Sequence, residues 1–357
     1  MNNNFCDATN MKLFNISKLS VPLLSFALLW WVAPQANAAL LVGSRNNNSV
    51  LRYDEETGKF IDTFIPSGSG GLNVTVGFAV GSDQNYYLSN FAANSIERYN
   101  GESGDFIDSF VTKDSGGLKL PQDLAFGSDG NLYVAGTVNG TTNTVLRYDG
   151  KTGAFIDTFI SSDKIDPAVP FSLIFGPDQN IYLNSAITGS IKRYDSKTGA
   201  FIDNFAQSKP GSVPGSLTFG PDGNLYVADF KTNDIARYDG KTGEFIDFFV
   251  TSNSGGFSGT AKQTFGPDGN LYVSSILTNN VLRYNGKTKA FIDAFVPAGS
   301  GGLGQPRFLY FTKDAIAVPE FRTGLALLAF AAILSVGKVM GRFKNDIIDN
   351  YDAESLN

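Results

Sequence analysis

Gln122, Asp123, Ser172, Ser216, Lys262 and Arg307 are the residues of this chain whose types and spacing could do chemistry together. A carboxylate opposite two bases would orient an anionic or sugar-like ligand through charge-assisted hydrogen bonds. With a divalent cation such as calcium, Asp123 would act as ligand or base while Lys262 or Arg307 stabilised developing negative charge, the parts of a lactonase or lyase. The bland alternative is a solvated channel mouth that binds nothing. Apart from the adjacent Gln122 and Asp123 these residues lie far apart in the chain, and what groups them is a shared place in a repeat.

Chemistry that needs other residue types is excluded. The chain has no His, its single Cys is Cys6 and its two Trp are Trp30 and Trp31, all ahead of Ala39. Beyond that point there is no imidazole, thiol or indole, which removes Ser-His-Asp and Cys-His catalysis and every His- or Cys-based metal site. Disulfides go with them, so strand pairing and packing must supply the stability. Without residues 1–38 the chain carries 26 basic and 33 acidic groups. A surface of that sign repels phosphate backbones, and nucleic acid is not an expected partner.

An Arg-Tyr pair recurs at Arg52, Arg98, Arg147, Arg193, Arg237 and Arg283, in steps of 46, 49, 46, 44 and 46 residues. Steps that regular predict a β-propeller or another repeat array. Each unit holds four short runs rich in β-branched and aromatic residues, here termed strands A to D, separated by Gly, Pro, Asp and Asn. In the fifth unit they fall at 216–219, 224–228, 234–238 and 244–250. Gly-Pro-Asp-Gly-Asn, starting at Gly220 and Gly266, joins A to B, and Asp-Gly-Lys-Thr-Gly, starting at Asp149 and Asp239, joins C to D. Proline presets φ, Asp bonds its own backbone and Gly takes positive φ, so both are tight hairpins and the unit is an antiparallel meander. The longer D–A connections are rich in Gly and Ser, as at Ser254 to Gly256, and suit a chain crossing to the next sheet. A four-stranded meander repeated radially is a propeller blade. Leu40–Ser44 aligns with a B strand that lacks its A, and Phe308–Phe311 with an A strand that lacks its C and D. The expected fold is therefore all-β, a six-bladed propeller closed by pairing of N- and C-terminal strands, which leaves no open sheet edge at the seam.

Within this frame the scaffold residues separate from the variable ones. The acids Asp62, Asp108, Asp157, Asp203, Asp247 and Asp293 all sit in Phe-Ile-Asp on strand D. On an outermost strand such charges are expected to block pairing with other chains. The Gly-Pro-Asp-Gly-Asn turns supply too few oxygens for calcium, and turn chemistry accounts for them. The position four residues before the Gly that ends strand A does vary, reading Gly77, Asp123, Ser172, Ser216, Lys262 and Phe308 around the ring. One residue earlier it reads Val76, Gln122, Phe171, Gly215, Ala261 and Arg307. Strand A is innermost, so these positions are expected to surround an axial pocket.

At the Tyr-Val-Ala-Asp of residues 226–229 and the Arg-Tyr-Asp of residues 237–239 the unit resembles the NHL-repeat propellers and their lyase-like and gluconolactonase-like relatives, over Leu40 to about Phe311. The gluconolactonase-like proteins hold a divalent metal in the axial pocket with several acidic and amide side chains. Here only Asp123 and Gln122 match in type, so the resemblance implies at most a sparse calcium site, and no cofactor is expected.

Residues 1–38 read as a secretory signal peptide, with Met11 as an alternative start. Lys12 and Lys18 precede an apolar run from Val21 to Ala33, and Ala36 and Ala38 form a small-residue cleavage site. Residues 39–317 would be the propeller. After it come Val318, Pro319 and Glu320, an uncharged stretch from Thr323 to Gly337 expected to be an apolar helix, and then Lys338, Arg342 and Lys344. That order resembles the PEP-CTERM sorting tag of exported bacterial proteins. The resemblance implies membrane processing over 318–344 by an exosortase-type enzyme, ahead of an acidic tail at 345–357. The competing reading is a plain C-terminal membrane anchor with the basic residues inside. Both place the ring at the cell envelope or outside it, at least transiently anchored in the membrane. The expected function is a non-enzymatic binding protein whose partner is an envelope or matrix protein or polysaccharide. The alternative is a metal-dependent lactonase or lyase acting at the axial pocket.

Overall fold

A computed structural model describes residues 38–165 and 170–312. Its strands form six separate four-stranded sheets, each an antiparallel meander in the order A, B, C, D. Strand A of every sheet touches strand A of both neighbours all the way round, so A is innermost and the six blades close into a propeller. In blade 5 the strands are Pro214–Phe219, Leu225–Asp229, Ile235–Tyr238 and Phe245–Val250, within two residues of the boundaries expected from the repeat.

Blade 1 joins the two ends of the described chain. Its strand A is Pro306–Phe311, and its B, C and D strands are Ala39–Ser44, Ser49–Asp54 and Phe60–Ile65. The seam pairs Leu40 with Phe311, Leu41 with Tyr310, Val42 with Leu309 and Ser44 with Pro306. The Ala39 amide adds a hydrogen bond of 2.8 Å to Thr312 Oγ1, and the Thr312 amide returns one of 2.9 Å to the Ala39 carbonyl. The signal peptide up to residue 37, Ala36 included, lies outside the described residues. So do Val318, Pro319 and Glu320, the apolar stretch after them and the acidic tail. Among the described residues no helix is long and apolar enough to cross a membrane.

One aromatic wedge repeats between blades. Tyr226 on strand B of blade 5 meets Phe249 of its own strand D edge-on at 5.1 Å and Phe265 of the next blade's strand A at 5.0 Å. Tyr87, Tyr133, Tyr182 and Tyr272 repeat this pair of contacts. Edge-to-face packing of this kind adds to the apolar area each ring removes from water. The phenol end of the wedge is fixed by the A–B turn. Tyr226 donates to Asp222 Oδ2 at 3.0 Å, while the Asn224 amide and side chain donate to the same carboxylate. Burial pushes Asp222 up, but those hydrogen bonds and Arg237 outweigh it and hold the carboxyl below its ordinary range. The turn carboxylates are thus consumed by the fold.

The strand D acids are not free edge charges, as their position alone implied. Each stands opposite the Arg of strand C in the ladder, as Arg147 does with Asp157. Arg147 donates Nε to Oδ1 at 3.2 Å and Nη2 to Oδ2 at 2.6 Å, a fork on a fork, and its guanidinium lies 4.7 Å from the ring centre of Phe159. The pair recurs in all six blades. In blade 1 the Arg52 side chain is 3 % exposed, against 21 % for Arg147. Removing one partner of a buried pair costs far more than removing one at the surface. Asp62→Ala, which strands Arg52, is expected to lower unfolding free energy in urea by about 3 kcal/mol. Asp157→Ala is expected to cost about 1 kcal/mol.

Candidate axial binding site

The D–A and B–C connections share one face of the ring, and strand A starts there. In four blades a residue at the mouth end of strand A is left-handed: Val74 (φ 58), Leu120 (φ 47), Gly259 (φ 64) and Gln305 (φ 49). For side chains such as Val74 this backbone is strained. An Asn from the preceding blade's B–C loop holds each one by accepting its amide: Asn48 for Val74, Asn94 for Leu120, Asn233 for Gly259 and Asn279 for Gln305. Just inside the clamp a bulge breaks strand A, for example between Thr260 and Gln263 and between Lys119 and Asp123. The bulge re-aims the side chains between the two paired residues, as such irregularities do next to binding sites.

A cavity of about 460 Å³ opens on this face. Gln122, Asp123, Lys262 and Arg307 line it, as the repeat register implied. Ser172 and Ser216 do not. Both are 0 % exposed, and Ser172 Oγ accepts the Leu217 amide of the next blade at 3.3 Å, so it pins one blade to another. Ser216 Oγ is buried with no hydrogen-bond partner. Asp123, Ser172, Ser216 and Lys262 share one register along strand A, and Gln122 and Arg307 stand one residue earlier. Which of them reaches the axis is decided by the local bulge and by what the next blade offers.

Asp123 belongs to blade 3 and Lys262 to blade 6, which face each other across the ring. Lys262 Nζ nevertheless reaches Asp123 Oδ2 at 2.7 Å, and the Leu173 amide donates to the same oxygen at 2.9 Å. The pair is a strut across the axis. Asp123 is 3 % exposed and is the only acid among the described lining residues, so its charge is already balanced.

Two arginines remain. Arg307, half-buried on strand A of blade 1, has no hydrogen bond or ion pair among the described residues, and its Nε is buried and unpartnered. Burial, with the charge of Arg45 adding, pushes Arg307 down to about 10, so it stays charged at neutral pH. Arg45 comes from the B–C loop of blade 1 and donates Nη1 to Gln305 Oε1 at 3.3 Å. It was not singled out with the strand A residues because it sits in another element. The available signal was a second varying position, directly after strand B, where Arg45, Phe91 and Phe230 stand in different blades. Phe91, Phe171 and Phe230 give the cavity apolar walls, with Phe171 and Phe230 left 41 % and 44 % exposed. The arrangement joins an apolar mouth to two uncompensated guanidinium groups, which suits a carboxylate or similar anion on an apolar body. Among the described residues no three His, Cys, Asp or Glu side chains gather as a metal site.

No protein-family model and no curated protein sequence matches the chain. Solved structures do share its architecture. A nidogen/laminin complex matches 77 % of this chain and 97 % of its own with a TM-score of 0.59 at 18 % identity. A gluconolactonase from Xanthomonas campestris matches 66 % of this chain and 79 % of its own with a TM-score of 0.54 at 18 % identity. A catalytically inactive histidine-to-alanine variant of virginiamycin B lyase from Staphylococcus aureus, solved with quinupristin, matches 79 % and 94 % with a TM-score of 0.53 at 16 % identity. At these identities the likeness establishes the propeller fold, with gluconolactonase- and lyase-like neighbours, and nothing finer.

The strut makes a direct test of the site's electrostatics. Lys262→Met leaves Asp123 buried without its cation and is expected to destabilise the protein by about 3 kcal/mol. Adding Asp123→Asn to that variant is expected to recover more than half of the loss, a coupling that a double-mutant cycle by thermal or urea unfolding reads directly.

Proposed function

We propose that the protein is an exported binding module of the cell envelope or extracellular matrix that takes a small organic anion in its axial cavity without turning it over. The observation that carries this reading is Arg307: a half-buried guanidinium beside Arg45, facing an apolar-walled cavity, with no acid of its own. Guanidinium groups in such surroundings form strong bidentate bonds with carboxylates, and the aromatic rim supplies contact for the rest of the ligand. The cavity volume falls in the range of small-molecule sites. Export and envelope attachment rest on the leader and tag residues of the sequence, and an envelope or matrix polysaccharide bearing acidic groups would meet the same chemistry.

The second reading, a metal-dependent lactonase or lyase, is favoured by the fold it shares with a gluconolactonase. Two features argue against it. Asp123, the residue that would hold the metal or act as base, already accepts from Lys262 and from the Leu173 amide through Oδ2. The lyase variant that lacks one histidine is catalytically inactive, and this chain has no histidine.

A panel of small carboxylates, such as benzoate, hexanoate and gluconate, titrated calorimetrically into the full-length protein, tests the proposal. At least one is expected to bind saturably and to raise the melting temperature in a concentration-dependent way. Arg307→Met is expected to weaken it by roughly tenfold to a hundredfold, the range for losing a hydrogen-bonded charge. Because the lowered pKa of Arg307 means its charge disappears as pH rises through about 10, affinity should be level from pH 7 to 9 and fall above that. Turnover of a lactone or ester that calcium supports and Asp123→Ala abolishes would replace this reading with the enzymatic one. Loss of everything beyond about Pro319, in an intact-mass measurement on protein from its native envelope, checks the sorting tag.

A further inference from the structure

Four of the other blades show what blade 5 lacks. In each the D–A connection is a short 3-10 turn, Ser69–Gly71, Ser115–Gly117, Ser254–Gly256 or Ser300–Gly302, followed by a buried plug: Leu72, Leu118, Phe257 or Leu303. Leu303 packs with Val42, Leu51 and Tyr53 of the blade it enters, and Phe257 packs with the corresponding Val273, Leu282 and Tyr284. Each turn also caps its blade, as Tyr53 and Tyr284 donate to the Ser300 and Ser254 carbonyls at 2.8 and 2.7 Å.

Blade 5 carries the matching Val227, Ala236 and Tyr238 but no plug. Three residues before its strand A, where Leu303 precedes Pro306, stands Gly211, with nothing within 4 Å of where a side chain would begin. Ala236 is smaller than its counterparts Leu51 and Leu282, which deepens the gap. Tyr238 donates instead to the Gln207 carbonyl, at a longer 3.3 Å. What remains is a slot of about 350 Å³, walled by Val227, Ala236 and Tyr238 with Phe245 and Phe248 outside. Phe245 is 52 % exposed, whereas Phe60, its counterpart under the Ser300–Gly302 turn, is 39 % exposed. Phe248 adds an aromatic wall where the other blades have Thr, Ser, Asn or Ala.

The charges at the rim are as specific as the walls. Asp229 and Asp234 are 4 % and 3 % exposed, and Lys209 pairs with Asp234 while its ammonium lies 4.6 Å from the ring centre of Phe248. Two acids against one base leave the rim negative, so it complements a cation.

We propose that this slot between blades 4 and 5 docks a segment of a partner protein that presents Leu or Phe on a glycine-bearing turn, with a Lys or Arg beside it. The chain itself displays such an occupant in four equivalent positions, and the negative rim selects the basic neighbour. The partner residue supplies the plug, and its turn covers Phe245 as Gly301 covers Phe60.

Fluorescence polarisation of the full-length protein with a labelled peptide, Lys-Ser-Gly-Gly-Phe-Ser-Gly, tests this, since its last six residues copy the plug of blade 6 at 254–259. Saturable binding is expected, at least tenfold weaker when Ala replaces the peptide Phe. Ala236→Leu introduces the residue that blades 1, 3 and 6 carry at this position, Leu51, Leu146 and Leu282, and fills the slot. It is expected to fold, to melt at a higher temperature and to bind the peptide at least tenfold more weakly. Phe248→Ser, matching Ser109, is expected to weaken binding in the same sense. No saturable binding up to millimolar peptide would overturn the proposal, as would equal binding of the Ala peptide, which marks a surface charge contact only. Unchanged binding by Ala236→Leu would also overturn it, and so would a slot that takes phenol but not the peptide, which marks a small-molecule cavity.

Discussion

The pairing of Ala39–Ser44 with Pro306–Phe311 is the contact on which everything else in this molecule depends. Each wedge Tyr needs a strand A Phe in the following blade, and for Tyr272 that partner is Phe311, on the strand that comes from the far end of the described chain. The two guanidinium groups of the cavity also meet only at this seam, because Arg45 follows the first strand and Arg307 lies in the last. Ring closure therefore does more than remove exposed sheet edges. It assembles the positive side of the axial site from residues that no single blade contains.

Within the ring, sameness and difference divide the labour. The wedge and the turn carboxylates recur in five blades and the Arg–Asp pair in all six, because the blades share one packing problem. The Asn clamps recur only where the D–A connection is the short Ser-Gly-Gly turn, and they hold strained backbone at the cavity mouth. Departures from the repeat carry the individual features: a strut from Asp123 to Lys262, an unpaired Arg307, and a missing plug at Gly211.

The fold was legible because its signals are local. Gly-Pro-Asp-Gly-Asn and Asp-Gly-Lys-Thr-Gly specify hairpins whatever surrounds them, and the alignment of Leu40 and Phe308 with different strands of one unit implies closure by itself. The Arg–Asp forks were legible in principle, since both residues recur ten positions apart in every unit, yet the acid read alone looks like an edge charge. The cavity was legible only in part. Period-2 alternation places Asp123, Ser172, Ser216 and Lys262 in one register, but bulges in strand A interrupt that alternation. Ser172 turns to the Leu217 amide, while Lys262 crosses the ring to a carboxylate in the opposite blade. Contacts between residues 139 positions apart leave no trace in local sequence.

The seam also imposes an order of events on a chain as it is made. Blade 1 has three of its strands near the start of synthesis and waits for the fourth until residues 306–311 have emerged. Until then its B strand presents a bare hydrogen-bonding edge, and the guanidinium of Arg45 has no companion. A whole cavity thus implies a whole ring: a polypeptide that stops short of Arg307 has neither the last strand of blade 1 nor the second guanidinium.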